Sequence, residues 1–151
     1  MSSRLAGYID DHLAGAAIAL EILASLEHAA DLAEWRPTVT ALRREVEEDV
    51  RTLLGLRQQL SSPPVGWKRR VARWVGRMMR RRFSKDRLGT FEAVEALALG
   101  VHGKDLLWEA LEAVGYPAAR KMDFAGLRRR AQSQFQVLVK LRLALARPAF
   151  T

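Results

Sequence analysis

Residues 61–87 read SSPPVGWKRRVARWVGRMMRRRFSKDR, and the fold turns on what this stretch does. Ser61-Ser62-Pro63-Pro64 stops a helix: two adjacent prolines donate no backbone hydrogen bond, and each pushes the residue before it towards extended backbone. Beyond them the pattern predicts a helix over about 65–83. At 100° per residue, Trp67, Val71, Trp74 and Met78 fall within an arc of about 60°. Arg69, Arg70, Arg73, Arg77, Arg80 and Arg81 occupy the opposite arc. The stretch therefore interrupts the chain and contains an element of its own. The helices on either side are joined by a connection long enough to cross a bundle from end to end.

Working towards the N-terminus, Pro37 to about Leu60 places Val39, Leu42, Val46, Val50, Leu53 and Leu60 on one helical face, with Arg43, Arg44, Glu47, Glu48 and Arg51 opposite. The first helix, about Leu5 to Ala33, repeats Leu5, Ile9, Ala16, Leu20, Leu23 and Ala30 at spacings that suit one face. Trp35-Arg36-Pro37 separates the two, with Pro37 suited to a first helical turn. Towards the C-terminus, Leu88 or Thr90 to Val114 is apolar nearly all round, through Phe91, Val94, Ala98, Val101, Leu106, Leu107 and Leu111, and is expected to be well buried. Its polar stripe is Glu92, Glu95, His102, Asp105, Glu109 and Glu112. Gly100 and Gly103 lie off that stripe and would permit close helix approach. Gly115-Tyr116-Pro117 ends this helix, and Asp123 caps a last one reaching about Arg147, before Pro148. Leu127, Ala131, Phe135, Leu138, Leu141 and Leu145 are its core face.

These lengths describe one all-α domain over residues 1–151: a four-helix bundle of two antiparallel hairpins whose long crossover carries an extra basic amphipathic helix. Such an order is ferritin-like rather than up-down-up-down. Composition agrees, with 49% hydrophobic and 28% charged residues, too apolar for a disordered chain. The apolar run from His12 ends at Glu21, short of the roughly 20 residues of a membrane-spanning helix. Asp10 and Asp11 stand where a signal peptide would be basic, so a cytoplasmic location is expected. The absence of cysteine excludes disulfides, thiolate metal sites and thiol nucleophiles.

The net charge of +8 is unevenly distributed. Residues 1–62 and 88–119 each sum to −4, residues 63–87 to +9 and residues 120–151 to +7. Such halves either neutralise each other or leave a basic surface for an anion.

Tyr8-Ile9-Asp10-Asp11-His12-Leu13-Ala14-Gly15 is similar to the opening of an uncharacterised bacterial ferritin-like four-helix-bundle family. Leu42 with Glu45-Val46 and Asp49, then Glu95-Ala96-Leu97, Gly100-Val101, Gly103-Lys104 and Leu107-Trp108, resemble its second and third helices. The resemblance spans most of the chain and implies the fold. The family has no established activity, so no chemistry comes with it, and the run from Lys68 to Arg82 is richer in arginine than the family pattern.

Ferritin-like di-metal sites need a Glu-x-x-His on each of two helices. Here Ile9, Ser25 and Leu99 stand three residues before His12, His28 and His102, so the motif is missing. The reversed spacing, His28 with Asp31 and His102 with Asp105, offers metal candidates, but the chain after Asp123 has neither acid nor histidine to complete a four-helix set. The ordinary role for these residues is a solvated or salt-bridged face. His12 lies beside the apolar face of the first helix, where Asp49 is a candidate partner for its ring. Glu45 and Asp49 form an i,i+4 carboxylate pair of the kind that general acid–base catalysis uses when burial separates the two pKa values, although Arg43, Arg44 and Arg51 surround them. Phosphate loops, nucleophile elbows and zinc-type His-Glu-x-x-His motifs are missing.

The expected function is therefore non-enzymatic binding or scaffolding without a cofactor, with Lys68, Arg69, Arg70, Arg73, Arg77, Arg80, Arg81 and Arg82 facing an anion. Partners of suitable chemistry are an anionic membrane surface, nucleic acid or an acidic protein, and a homo-oligomer fits as well. In a purely structural reading of the same segment, Trp67, Val71, Trp74 and Met78 cap the bundle and the arginines pair with the acidic stripe of the third helix. The alternative function is a divergent metal-dependent enzyme or metal-binding protein using His28, Asp31, His102 and Asp105.

Overall fold

The computed structural model describes residues 2–60 and 86–151. The basic helix expected over 65–83, with Lys68, Arg69, Arg70, Arg73, Arg77, Arg80, Arg81 and Arg82, lies outside the described residues. Within them the chain is all-helical: α1 is Ser2–Leu26, α2 Arg36–Gln58, α3 Arg87–Val114 and α4 Phe124–Phe150. Short 3-10 turns occupy Ala30–Trp35 and Pro117–Ala119. No single described helix is long and apolar enough to cross a membrane.

The helix ends follow from local chemistry. Pro37 sits in the first turn of α2, where no backbone donor is needed. Asp86 and Asp123 cap α3 and α4, each carboxylate accepting from the backbone N–H three residues on, Gly89 and Gly126, at 2.9 Å. Gly115 ends α3 in the left-handed conformation, φ 61°. Two ends differ from expectation. α1 stops at Leu26 rather than Ala33, because the chain there turns into α2: Arg36 Nε donates to the Glu27 carbonyl at 2.8 Å and Arg43 Nη1 to the Glu27 carboxylate at 2.7 Å. α4 continues through Pro148 to Phe150. A proline in the last turn costs one intrahelical bond, and Phe150 packs edge-on against Phe91 with ring centroids 5.3 Å apart.

Ion pairs give the helix directions. Asp10 meets Arg57 and Glu27 meets Arg43, so α1 and α2 are antiparallel. Glu95 meets Arg142 and Asp105 meets Arg128, so α3 and α4 are antiparallel. Glu48 meets Arg130 and Glu45 meets Gln134, which sets α2 antiparallel to α4 and therefore parallel to α3. The core divides accordingly. One cluster joins Ile18, Leu23 and Leu26 of α1 to Val39–Val46, Phe91–Val101 and Leu138–Leu145. The other joins Leu5–Leu13 to Leu53–Leu60, Leu107–Leu111 and Phe124–Ala131. α2 thus ends in the second cluster, while α3 starts beside the first.

Several face assignments need correction. On α1 the buried apolar set is Leu5, Ala6, Ile9, Leu13, Ala14, Ile18, Ile22, Leu23 and Leu26; Ala16 and Leu20 are half-buried, and Ala30, beyond its end, is exposed. On α3 the all-round burial is not observed, with Leu99 69% and Leu106 48% exposed. Among the described residues, Gly100 and Gly103 do not mediate close packing: a Cβ at either would meet no described atom within 4 Å.

Candidate functional site

Three polar residues occupy core positions at the middle of the bundle. Asp49 of α2, Lys104 of α3 and Gln134 of α4 each follow a buried apolar residue by three places and precede another by four: Val46 and Leu53, Val101 and Trp108, Ala131 and Leu138. That spacing puts each on the inward stripe of its helix. All three lie between the two apolar clusters, forming a polar layer. At the same level, between Leu13 and Ile18, α1 contributes Ala14-Gly15-Ala16-Ala17 and no polar side chain.

The layer is closely bonded. Lys104 Nζ donates to Asp49 Oδ2 at 2.5 Å and to Gln134 Oε1. Gln134 Nε2 donates to Glu45 Oε2 at 2.8 Å. Arg130 donates through Nη2 to Asp49 Oδ1 and through Nη1 to Glu48 Oε2 at 3.0 Å. Asp49 is 3% and Gln134 1% exposed, so without these partners each would carry the full cost of desolvation. Burial pushes the Lys104 ammonium below the ordinary lysine value. The charge and hydrogen bond of Asp49 act the other way, Arg130 adds to the lowering and Glu45 opposes it. A half-buried cation thus stands among carboxylates on facing helices.

A second buried pair ties the hairpin of α1 and α2. Arg57 donates from Nε to Asp10 Oδ1 at 2.8 Å and from Nη2 to Asp10 Oδ2 at 3.2 Å, a bidentate geometry. On the surface, α4 engages the acidic stripe of α3. Arg142 Nε donates to Glu95 at 2.6 Å, and Arg128 bonds Asp105 at 2.9 Å and Glu109 at 3.1 Å. Partial burial would raise Asp105, but hydrogen bonds from Arg128 and Gln132, with the Arg128 charge, hold it below the ordinary aspartate value.

The metal candidates are not assembled into a ligand set. His28 and Asp31 are exposed where α1 turns into α2. His102 is exposed against the Phe135 ring at 5.6 Å, and Asp105 is held by Arg128 and Gln132. No group of three or more His, Asp or Glu arranged to hold a metal ion occurs among the described residues. His12 meets the ring of Tyr8, 4.7 Å away, while Asp49, the partner expected for it, bonds Lys104 and Arg130. Burial lowers the His12 pKa, opposed by the charge of Asp11. In the Glu45/Asp49 pair only Asp49 is fully buried, and it faces two cations rather than a cavity. The residues of the polar layer that sequence reading missed are Lys104, Arg130 and Gln134. The signal for Lys104 and Gln134 was a polar side chain in a core-stripe position. For Arg130 there was none, because its partners lie on another helix.

Comparison of the chain with protein-family models, with curated proteins and with solved structures finds no match.

Proposed function

We propose that this chain is a non-enzymatic binding or scaffolding bundle of ferritin-like topology. Residues 61–85 form its crossover, and a basic amphipathic helix over 65–83 meets an anion through Lys68, Arg69, Arg70, Arg73, Arg77, Arg80, Arg81 and Arg82. Parallel α2 and α3 support the topology, since a chain leaving one end of the bundle and re-entering at the other needs one long crossover. The observation that carries the functional reading is the engagement of the acids. Asp49 and Glu48 are bonded by α3 and α4, and Glu95, Asp105 and Glu109 by Arg142 and Arg128 of α4. These five acids are engaged within the bundle, while Glu92 and Glu112 of the same stripe are exposed; the +9 of residues 63–87 exceeds what those two can neutralise, which favours an external anion for its arginines.

The polar layer supports the same reading. In a ferritin-like metalloprotein the carboxylates of facing helices converge on metal ions; here the cation between them is the protein's own ammonium. Such a layer fixes the pairing of α2, α3 and α4 rather than turning over a substrate. The test is the variant Arg69→Glu/Arg73→Glu/Arg77→Glu/Arg80→Glu, assayed by flotation with anionic vesicles and by nucleic-acid binding at low salt, with circular dichroism as the folding control. Loss of binding with the helical signal intact is expected. Binding equal to wild type overturns the proposal.

A further inference from the structure

The eight cations of residues 120–151 are not equivalent. Arg128, Arg130 and Arg142 turn towards α2 and α3 and bond acids there. Arg129, Lys140 and Arg147 are exposed, and no acid pairs with them among the described residues. At 100° per residue the three fall within about 20° of one another around α4. They form a straight file over 18 residues, about 27 Å long at 1.5 Å per residue. Ser133 and Gln136, both exposed, stand between Arg129 and Lys140. α4 itself contains no acid.

We propose that this outer face of α4 is a second anion-binding element, distinct in sequence from residues 68–82, and that its partner is the phosphodiester backbone of a nucleic acid. A file of about 27 Å matches the rise of roughly eight nucleotides along one strand. Arginine, lysine, serine and glutamine are the side chains that bond phosphate oxygens. The chemistry disfavours a bilayer, which needs a broad apolar sector to enter the acyl boundary. Here Leu143, 62% exposed, is the large apolar side chain between the cations, with Phe150, 70% exposed, beyond Arg147 and against Phe91; two such side chains are not a broad apolar sector.

The experiment compares two variants of equal charge change in binding a fluorescent single-stranded oligonucleotide and a duplex across a salt series. One is Arg129→Gln/Lys140→Gln/Arg147→Gln. The control, Arg4→Gln/Arg44→Gln/Arg51→Gln, removes exposed cations from α1 and α2. Removing three phosphate contacts should lower the magnitude of the log K against log salt slope by about 2 to 3 and weaken binding by an order of magnitude or more. The control should change both far less. Equal losses in the two variants, which report net charge alone, overturn the proposal. So does an unaffected α4 variant, and so does binding to anionic vesicles without binding to either nucleic acid. The four-arginine variant of residues 69–80 is read separately: if it binds normally while the α4 variant fails, the α4 surface stands and the assignment of residues 68–82 falls.

Discussion

Asp49 and Lys104 illustrate how unevenly the interior depends on its polar groups. Replacing Asp49 by leucine removes the carboxylate that both Lys104 and Arg130 bond, at a cost of about 3–5 kcal/mol, whereas leucine at Asp49, Lys104 and Gln134 together should recover most of that loss; urea unfolding of the single and triple variants measures the difference. The sign of the Lys104 pKa shift adds a pH dependence. A base whose pKa is lowered by folding penalises the folded state while charged in it, so its contribution improves as pH rises from the lowered value to the ordinary one. Wild-type stability relative to Lys104→Met should therefore climb on the alkaline side. His12 behaves alike in a lower range. Its contribution is complete above the ordinary histidine value and is lost as pH falls through the lowered one, so His12→Phe should flatten the stability profile on the acid side of the ordinary histidine value. An unchanged profile would mean that the ring is as well hydrated folded as unfolded.

Among the elements, two glycines should respond to alanine with opposite signs. At Gly126 a Cβ would lie 2.2 Å from Asp123 Oδ2, inside the cap of α4, so Gly126→Ala should cost about 1 kcal/mol, comparable to losing the cap. At Gly100 a Cβ meets no described atom within 4 Å, so Gly100→Ala should stabilise α3 by about 0.5–1 kcal/mol. Thermal unfolding distinguishes both from wild type. The cap at Asp123 and the proline start of α2 were legible in the sequence because each depends on residues within one turn. The end of α1 was not: its apolar spacing continues, and what stops it is Glu27 bonded by Arg36 and Arg43 from the next helix. Periodicity placed most of the α2 and α4 stripes, with Val50, Leu127 and Phe135 half-buried, but overestimated the burial of α3, since an apolar composition does not say whether neighbours cover every face. The candidate site was less legible still. Asp49 was visible as half of a carboxylate pair, yet its partners come from two helices more than fifty residues away in sequence.

In the whole molecule a parallel α2–α3 order is combined with an uneven distribution of charge. Parallel α2 and α3 place Arg44 near the Glu92 end of the bundle and Gln58 near the Glu112 end. Because the chain has no cysteine, spin labels can be introduced cleanly at Arg44/Glu92 and at Gln58/Glu112. Both pairs should give short distances, whereas an antiparallel order would lengthen both towards the roughly 35 Å of α2. Among the described residues, the interior charges are paired with the protein's own groups, and Arg129, Lys140 and Arg147 are exposed. The most direct measurement is equilibrium binding of the nuclease-treated wild-type chain to polyanions, both nucleic acid and anionic vesicles, at low and at high salt. The account predicts binding at low ionic strength that falls steeply as salt rises, with neutral vesicles left unbound. No binding to either polyanion at low salt would contradict it, and would assign the outward cations to solubility alone.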